Sequence, residues 1–248
     1  MDDAAMGVRP VRLERRSTAE TLAFELRRQI LSGAVPPGTR LREVEMADGF
    51  GVSRQSLRAA LGELVHEGLL RRAPHKGVWV PALTTEELQD IYYLRGILEA
   101  EAAARLAAEP DRAEPLRPII AGLAELPADV SWGVMQEAHL AFHRALVDAV
   151  GSPRLSRAYH QLWSEASLGL VASRDHPRAA PRDQAEAHRA LLDTILVGPP
   201  DVAARSAREH LTIGLSTALQ AAADHARPAS GESPSGALPG AVRPRRSA

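Results

Sequence analysis

The chain has 248 residues, a formal net charge of -1, 45% hydrophobic but only 4% aromatic residues, and no cysteine. That length exceeds one small core and suits two domains, and the lack of cysteine removes disulfides and thiolate metal sites. No apolar run is long enough to span a membrane and no apolar segment follows the N-terminal charges, so the expected setting is the cytoplasm, with no membrane partner.

Ala and Leu dominate and β-branched residues are sparse, which predicts a mainly α fold. Residues 1–81 carry 13 Lys and Arg against 10 Asp and Glu, leaving 17 against 21 for the remainder, so the front is basic and the back acidic. Residues 1–17 are charged without periodicity and read as a flexible arm. A helix is expected from about Thr18, with Leu22, Leu26, Ile30 and Leu31 on its buried stripe and a stop at Ser32-Gly33. Pro36-Pro37-Gly38 is a rigid turn, a short helix spans about Glu43 to Gly49, and Phe50-Gly51-Val52 turns the chain into a third helix.

That third helix is capped by Ser53, and Leu57, Leu61, Leu64 and Val65 recur at helical spacing to face a core. Its other face offers Arg54, Gln55 and Arg58, with Ser56 beside them. Arg can bond guanine bidentately, Gln can do so for adenine, and either can hold a phosphate. Two helices joined by a tight Gly-containing turn form a helix-turn-helix, whose second helix enters the major groove. After Gly68, Leu69-Leu70-Arg71-Arg72 and Val78-Trp79-Val80 read as strands flanking Ala73-Pro74-His75-Lys76-Gly77, a hairpin with a basic tip.

These residues carry a resemblance. Ile30-Leu31-Ser32-Gly33, Pro37-Gly38-Thr39-Arg40-Leu41, Gly51-Val52-Ser53-Arg54, Leu57-Arg58-Ala59-Ala60-Leu61, Glu67-Gly68-Leu69-Leu70 and Gly77-Val78-Trp79-Val80 stand in register, and residues 18–81 resemble the winged helix-turn-helix of the GntR family of bacterial transcription regulators. The resemblance implies that double-stranded operator DNA is a partner. Arg54, Gln55, Ser56 and Arg58 would lie at the major groove, with His75, Lys76 and Gly77 at the minor groove or phosphates. Val44 stands where some relatives carry a DNA-contacting arginine, so specificity at that contact does not transfer.

Thr84 and Glu87 form a capping-box start for a long helix running to about Ala108, with Leu88, Ile91, Leu94 and Leu98 at core spacing. Further helices are predicted at about 112–125, 131–150, 153–172, 182–197 and 200–224, with no solenoid repeat, so residues 84–225 read as an all-α helical bundle. Pro, Ser, Gly and Ala dominate from Arg227, and residues 226–248 are expected to be a disordered tail.

Histidines mark this second domain. His139 and His143 are i, i+4 on one helix face, and His188 and His210 fall within two other predicted helices, so three facing helices can build a metal site. Solvated or core-satisfied histidines are the competing reading. Residues 86–222 resemble the FCD ligand-binding domain of the FadR-like branch of the family, an all-helical bundle that often holds a divalent metal through an Asp-x3-His pair and two later histidines. Phe142-His143-Arg144-Ala145-Leu146, His188-Arg189-Ala190-Leu191-Leu192 and His210 match three of those positions, and His139 replaces the usual Asp. Imidazole in place of a hard carboxylate removes a negative charge and favours zinc or nickel over manganese; His139 either binds or leaves three ligands.

Arg95 matches an Arg-x3-Glu pattern and reads either as an anchor for an anionic ligand near the metal or as an i, i+4 partner of Glu99. His160, His176 and His225 read as surface residues, and Trp132, Trp163, Tyr92 and Tyr159 as core or interface packing. The expected whole is a homodimeric, ligand-responsive DNA-binding regulator controlled by a small anionic metabolite, a carboxylate. The alternative is a metal-dependent enzyme fused to a DNA-binding module, although no HExxH, nucleophile elbow or P-loop is present.

Overall fold

A computed structural model describes residues 17–171 and 180–226. Most of the expected N-terminal arm, His176 and nearly all of the C-terminal tail lie outside the described residues. Ser17, assigned to the arm from sequence, instead closes a capping box with Glu20 at the start of α1 (Thr18–Leu31). α2 (Glu43–Phe50) and α3 (Arg54–His66) follow, joined through Gly51 at φ 64°, the left-handed conformation that ends a helix cheaply only at glycine. β2 (Arg71–Ala73) and β3 (Gly77–Trp79) form the wing hairpin, and β1 (Arg40–Leu41) adds to its far edge. The three-stranded antiparallel sheet has the order β1-β3-β2, with Arg40 opposite Trp79 and Arg71 opposite Trp79 on the other side. β1 was not foreseen, because two residues give no alternation to read.

The core of this winged unit is built from Leu22, Leu26 and Ile30 of α1, Leu57, Leu61 and Leu64 of α3, and Leu69, Leu70, Val78 and Val80 around the sheet. Each of these leucines removes enough apolar surface from water to contribute roughly 1.5–3 kcal/mol.

The second unit is all helical, as the sequence predicts. α4 (Thr85–Ala108) is its centre and packs against α6 (Trp132–Asp148), α7 (Pro153–Leu170), α8 (Pro181–Val197) and, most extensively, α9 (Pro200–Ala226). α5 (Arg117–Ala124) begins later than expected: residues 110–116 form two 3-10 turns, because Pro115 and Pro118 disfavour a continuous helix there. On α4 Leu88 and Ile91 are buried and Leu98 packs against the core as expected, but Leu94 is turned outward. Tyr92, Arg95 and Glu99 are buried, whereas Leu94 is 42% exposed beside Tyr93 at 69% and Ile97 at 46%. The cause is the helix's central position, which places a polar stripe toward the bundle interior and leaves an apolar stripe outside.

The two units share a boundary made by the end of α7. Leu168 and Val171 are buried within the core of the winged unit rather than that of the bundle. Gly68, at φ 77° after α3, lies so close to α7 that a Cβ would stand 2.6 Å from Glu165 Cγ. Arg71 at the base of the wing also reaches Glu87 of α4 at 2.5 Å, while the other oxygen of Glu87 accepts from the Thr84 backbone N–H.

Candidate functional sites: the reading helix and a histidine-lined cavity

On α3 the Ser53 hydroxyl accepts from the Ser56 backbone N–H at 3.0 Å, and the two hydroxyls lie 2.9 Å apart. Ser56 therefore braces the helix start and is only half-exposed, whereas Arg54, Gln55 and Arg58 are exposed. Arg58 donates through Nε to Glu43 of α2 at 2.7 Å, and the other oxygen of Glu43 lies 3.6 Å from Nη2 of Arg72 in β2. One carboxylate thus links the helix-turn-helix to the wing. At the wing tip His75 takes φ 63° and precedes exposed Lys76, while Gly77 is already the first residue of β3.

In the bundle, α6 supplies His139 and His143, α8 supplies His188 and α9 supplies His210. The structure brings these four predicted histidines together. Ring centroids are 5.1 Å apart for His139 and His143, 4.8 Å for His139 and His188, 4.9 Å for His143 and His188, and 5.2 and 5.1 Å from His210 to His143 and His188. A ligand nitrogen from each of His139, His143 and His188 falls within a 4.8 Å span; His210 stands at the edge of this group.

The proton positions follow from the partners. His143 Nδ1 lies 2.8 Å from Glu99 Oε2, so Nδ1 carries the hydrogen and Nε2 presents its lone pair inward. That Nε2 faces His188 Nε2 at 3.2 Å. Two imidazole nitrogens on one tetrahedral zinc, with bonds of about 2.0–2.1 Å, stand about 3.3 Å apart, so the pair fits a shared ion. The Nδ1 atoms of His139 and His188 are buried without a protein partner.

Burial holds all four rings neutral. It is the leading cause that pushes His139 down to about 3, with Arg95 and His210 adding to it. His210 is lowered to about 4, burial outweighing the opposing pull of Glu99. His143 and His188 fall well below the usual histidine value, through burial first and then Arg95 and the neighbouring imidazoles. Neutral imidazole is the metal-binding form.

Glu99 is the hub that sequence reading overlooked. Fully buried, it accepts from Arg95 Nε at 2.9 Å and Tyr159 Oη at 2.7 Å through one oxygen, and meets His143 through the other. Arg95 is thus the i, i+4 partner of Glu99, and it also lines a cavity. Burial opposes its charge, but Glu99 and the adjacent tyrosines more than offset this and raise its pKa. Its guanidinium lies 4.9 Å over the Tyr92 ring, and Nη2 is buried with no partner.

The cavity holds about 400 Å³ and is walled by Tyr92, Arg95, Trp132, Gln136, His139, His143 and His210, together with apolar Met135, Leu170, Leu211 and Ile213. Trp132, expected to be a packing residue, lines it; Tyr92 lines it too while packing, as expected, with Ile91, Ala166 and Leu211, and Tyr159 packs internally, against Glu99. Trp163 stacks beneath Arg144, 5.0 Å from the guanidinium carbon. His160 is half-exposed and lies 3.2 Å from Asp148, consistent with a surface role, and the side chain of His225 is outside the described residues.

Gln136 donates through Nε2 to the Ser167 carbonyl. Three residues of α7 and its cap thereby join the two units: Ser167 is tied to the cavity wall, Leu168 enters the winged core, Leu170 faces the cavity and Val171 returns to the winged core.

A basic reading helix and wing, fused through a shared helix end to a bundle with a histidine-lined cavity, define a DNA-binding regulator that responds to a small ligand. Residues 18–80 match the family described as bacterial regulatory proteins, gntR family, and residues 90–212 match the FCD domain. The probable D-xylose utilization operon transcriptional repressor of Paenarthrobacter nicotinovorans is 32% identical over 204 residues, spanning 79% of this chain and 88% of that protein. Two solved structures share the fold with TM-scores of 0.66: a putative GntR regulator from Rhodococcus sp. RHA1, at 22% identity over 83% of this chain and 99% of that one, and E. coli McbR/YncC, at 23% identity with the same coverage. The chain belongs to the GntR family of transcriptional regulators and carries an FCD domain.

Proposed function

We propose that the chain is a homodimeric, metal-dependent sensor that binds operator DNA through Arg54, Gln55 and Arg58 of α3 and through His75 and Lys76 of the wing, and that changes its operator affinity when a carboxylate metabolite enters the bundle. The carrying observation is the group of three neutral imidazoles, of which His139 and His143 line the same cavity as Arg95, whose Nη2 is buried and unpaired, while His188 stands directly behind them. His139, His143 and His188 would hold a divalent ion, zinc or nickel in preference to manganese, with His210 as a fourth ligand. Bound there, the ion supplies a Lewis-acidic position for an anionic oxygen.

The charge balance supports an anion. Arg95 and Glu99 cancel, the imidazoles are neutral, His139 takes the place where relatives bring a carboxylate, and the exposed Asp183 at the cavity supplies only a single negative charge. A divalent ion therefore leaves excess positive charge in a largely apolar cavity, where Coulomb attraction is far stronger than in water. A metal-dependent hydrolytic role is less well supported, because Glu99, the buried carboxylate of the cluster, has both oxygens engaged by Arg95, Tyr159 and His143 and is not free to serve as a general base.

The exposed stripe of Tyr93, Leu94 and Ile97 on α4 is the favoured dimer face. A two-fold dimer would place two reading helices on related half-sites, and repression relieved by the ligand is the mode this arrangement suits. Among the described residues no helix is long and apolar enough to cross a membrane, in keeping with a cytoplasmic site of action.

Metal analysis of protein purified without an affinity tag or chelator tests the reading. About one zinc or nickel per chain is expected, with loss in His143→Ala and His188→Ala variants that still show helical circular dichroism. Protein that holds no metal and takes up neither zinc nor nickel refutes it. Light scattering at micromolar concentration should report a dimer; a monomer with a non-symmetric footprint excludes the dimer.

A further inference from the structure

One helix face contains, within about three turns, a hydrogen-bond donor, an acceptor and two of the clustered imidazoles. On α6 Trp132, Gln136, His139 and His143 succeed one another at spacings of four, three and four, and all four side chains line the same cavity. The indole Nε1 of Trp132 is buried and has no partner, and indole nitrogen can only donate. Gln136 is 2% exposed, and its orientation is fixed: the Ser167 carbonyl can only accept, so the amide nitrogen must face it. Oε1 is thereby turned away as an acceptor, also buried and unpartnered. An unsatisfied buried donor and acceptor one turn apart are each expensive to leave unmade. Nothing else in the described structure answers them.

We infer that Trp132 and Gln136 select a ligand carrying a hydroxyl group in addition to its carboxylate, the hydroxyl accepting from Trp132 Nε1 and donating to Gln136 Oε1. A hydroxyl does both with one atom. A ketone or ether oxygen leaves Gln136 unpaired, and a second carboxylate would face the Gln136 oxygen with repulsion. The same repulsion orients the ligand, its carboxylate at the Arg95 and imidazole end and its hydroxyl at the Trp132 end. Along the helix axis Gln136 stands about 4.5 Å and Trp132 about 10.5 Å from His139, at 1.5 Å per residue. A hydroxyl between them sits on a chain of roughly four to six carbons, whose methylenes meet Met135, Leu170 and Leu211. The inference rests on the carboxylate reading above and goes further in naming the hydroxyl and the two residues that read it.

The test uses full-length zinc-loaded protein and three probe pairs in calorimetric titration: butanoate with 4-hydroxybutanoate, pentanoate with 5-hydroxypentanoate, and hexanoate with 6-hydroxyhexanoate. At least one hydroxy acid should bind about tenfold or more tightly than its parent, the scale of a buried hydrogen bond that the parent leaves unmade. Trp132→Phe keeps the ring and loses the donor, so it should reduce that preference severalfold while the affinity for the parent acid stays within about twofold. Gln136→Met, verified as folded by its melting curve, should do the same from the other side. Binding of the parent acids with no gain from any hydroxyl overturns the inference and leaves the carboxylate reading standing. A hydroxyl preference that survives in both variants also overturns it. If no acid binds at all, the carboxylate reading falls and this inference with it.

Discussion

Histidines at 139, 143, 188 and 210 are predicted from spacing to meet at one ion, and their consequence for stability needs no ion at all. His143 and His188 are 1% and 0% exposed and are held neutral by burial first of all. Their folded pKa lies below the unfolded value of 6.5, so between those two values the unfolded chain binds more protons and stability falls as pH falls. Each ring contributes a slope of up to about 1.4 kcal/mol per pH unit below 6.5. Each of the four lowered rings then costs about 1 kcal/mol between pH 6.5 and 5.5, so chelated protein should lose about 4 kcal/mol of unfolding free energy over that range, measured by urea denaturation. His143→Phe together with His188→Phe should halve that dependence. The folded imidazoles stay neutral well below pH 6.5, so acid acts by unfolding the chain.

At the scale of elements, what was legible in the sequence was whatever rests on local periodicity and caps. α1 to α4 start at Ser17, Arg42, Ser53 and Thr84, and three of those four residues make side-chain caps that sequence rules anticipate. The wing hairpin was legible from its strand-like flanks and basic turn. What escaped was set by neighbours distant in sequence: β1 exists only because β3 lies beside it, and the buried face of α4 is chosen by α6, α7 and α9 around it. The candidate metal cluster was readable because i, i+4 spacing survives into geometry, and so was the Arg95–Glu99 pair; the contacts of Glu99 with His143 and Tyr159, and any role for Gln136, were not, because they are made to other helices. On α3 the same logic yields a prediction that separates the two arginines. Arg58 is already held by Glu43 and Arg54 is not. Arg58→Ala should weaken operator binding by about 1–3 kcal/mol, and Glu43→Gln should weaken it less, by freeing Arg58 and Arg72 from their shared anchor. Fluorescence anisotropy on an operator duplex at physiological salt measures both; equal affinity of Arg58→Ala and wild type removes α3 as the reading helix.

For the whole molecule the decisive feature is that the bundle and the winged unit do not meet through a linker alone. Ser167, Leu168, Leu170 and Val171 alternate between the cavity wall and the DNA-binding core over barely more than one helical turn. A ligand that pulls on Gln136 or presses on Leu170 must therefore displace atoms packed against α1 and α3, because close-packed interiors transmit small shifts instead of absorbing them. Thermodynamically the ligand can alter operator affinity only to the extent that it prefers one arrangement of this joint, and couplings of this kind are typically 1–3 kcal/mol, or about 5- to 150-fold. Leu168 is 3% exposed and contributes no atom to the cavity wall. Leu168→Ala should accordingly leave the affinity for the preferred acid within about twofold, while lowering stability by about 2–5 kcal/mol through the cavity it opens in the winged core. The ratio of operator affinities with and without the acid should fall toward one. Operator titrations of wild type and variant at saturating and zero acid, at a temperature where both are folded, give that ratio directly. A variant that keeps the full wild-type ratio would mean that the signal crosses elsewhere, through the Arg71–Glu87 contact between wing and α4 or the approach of Gly68 to Glu165 of α7.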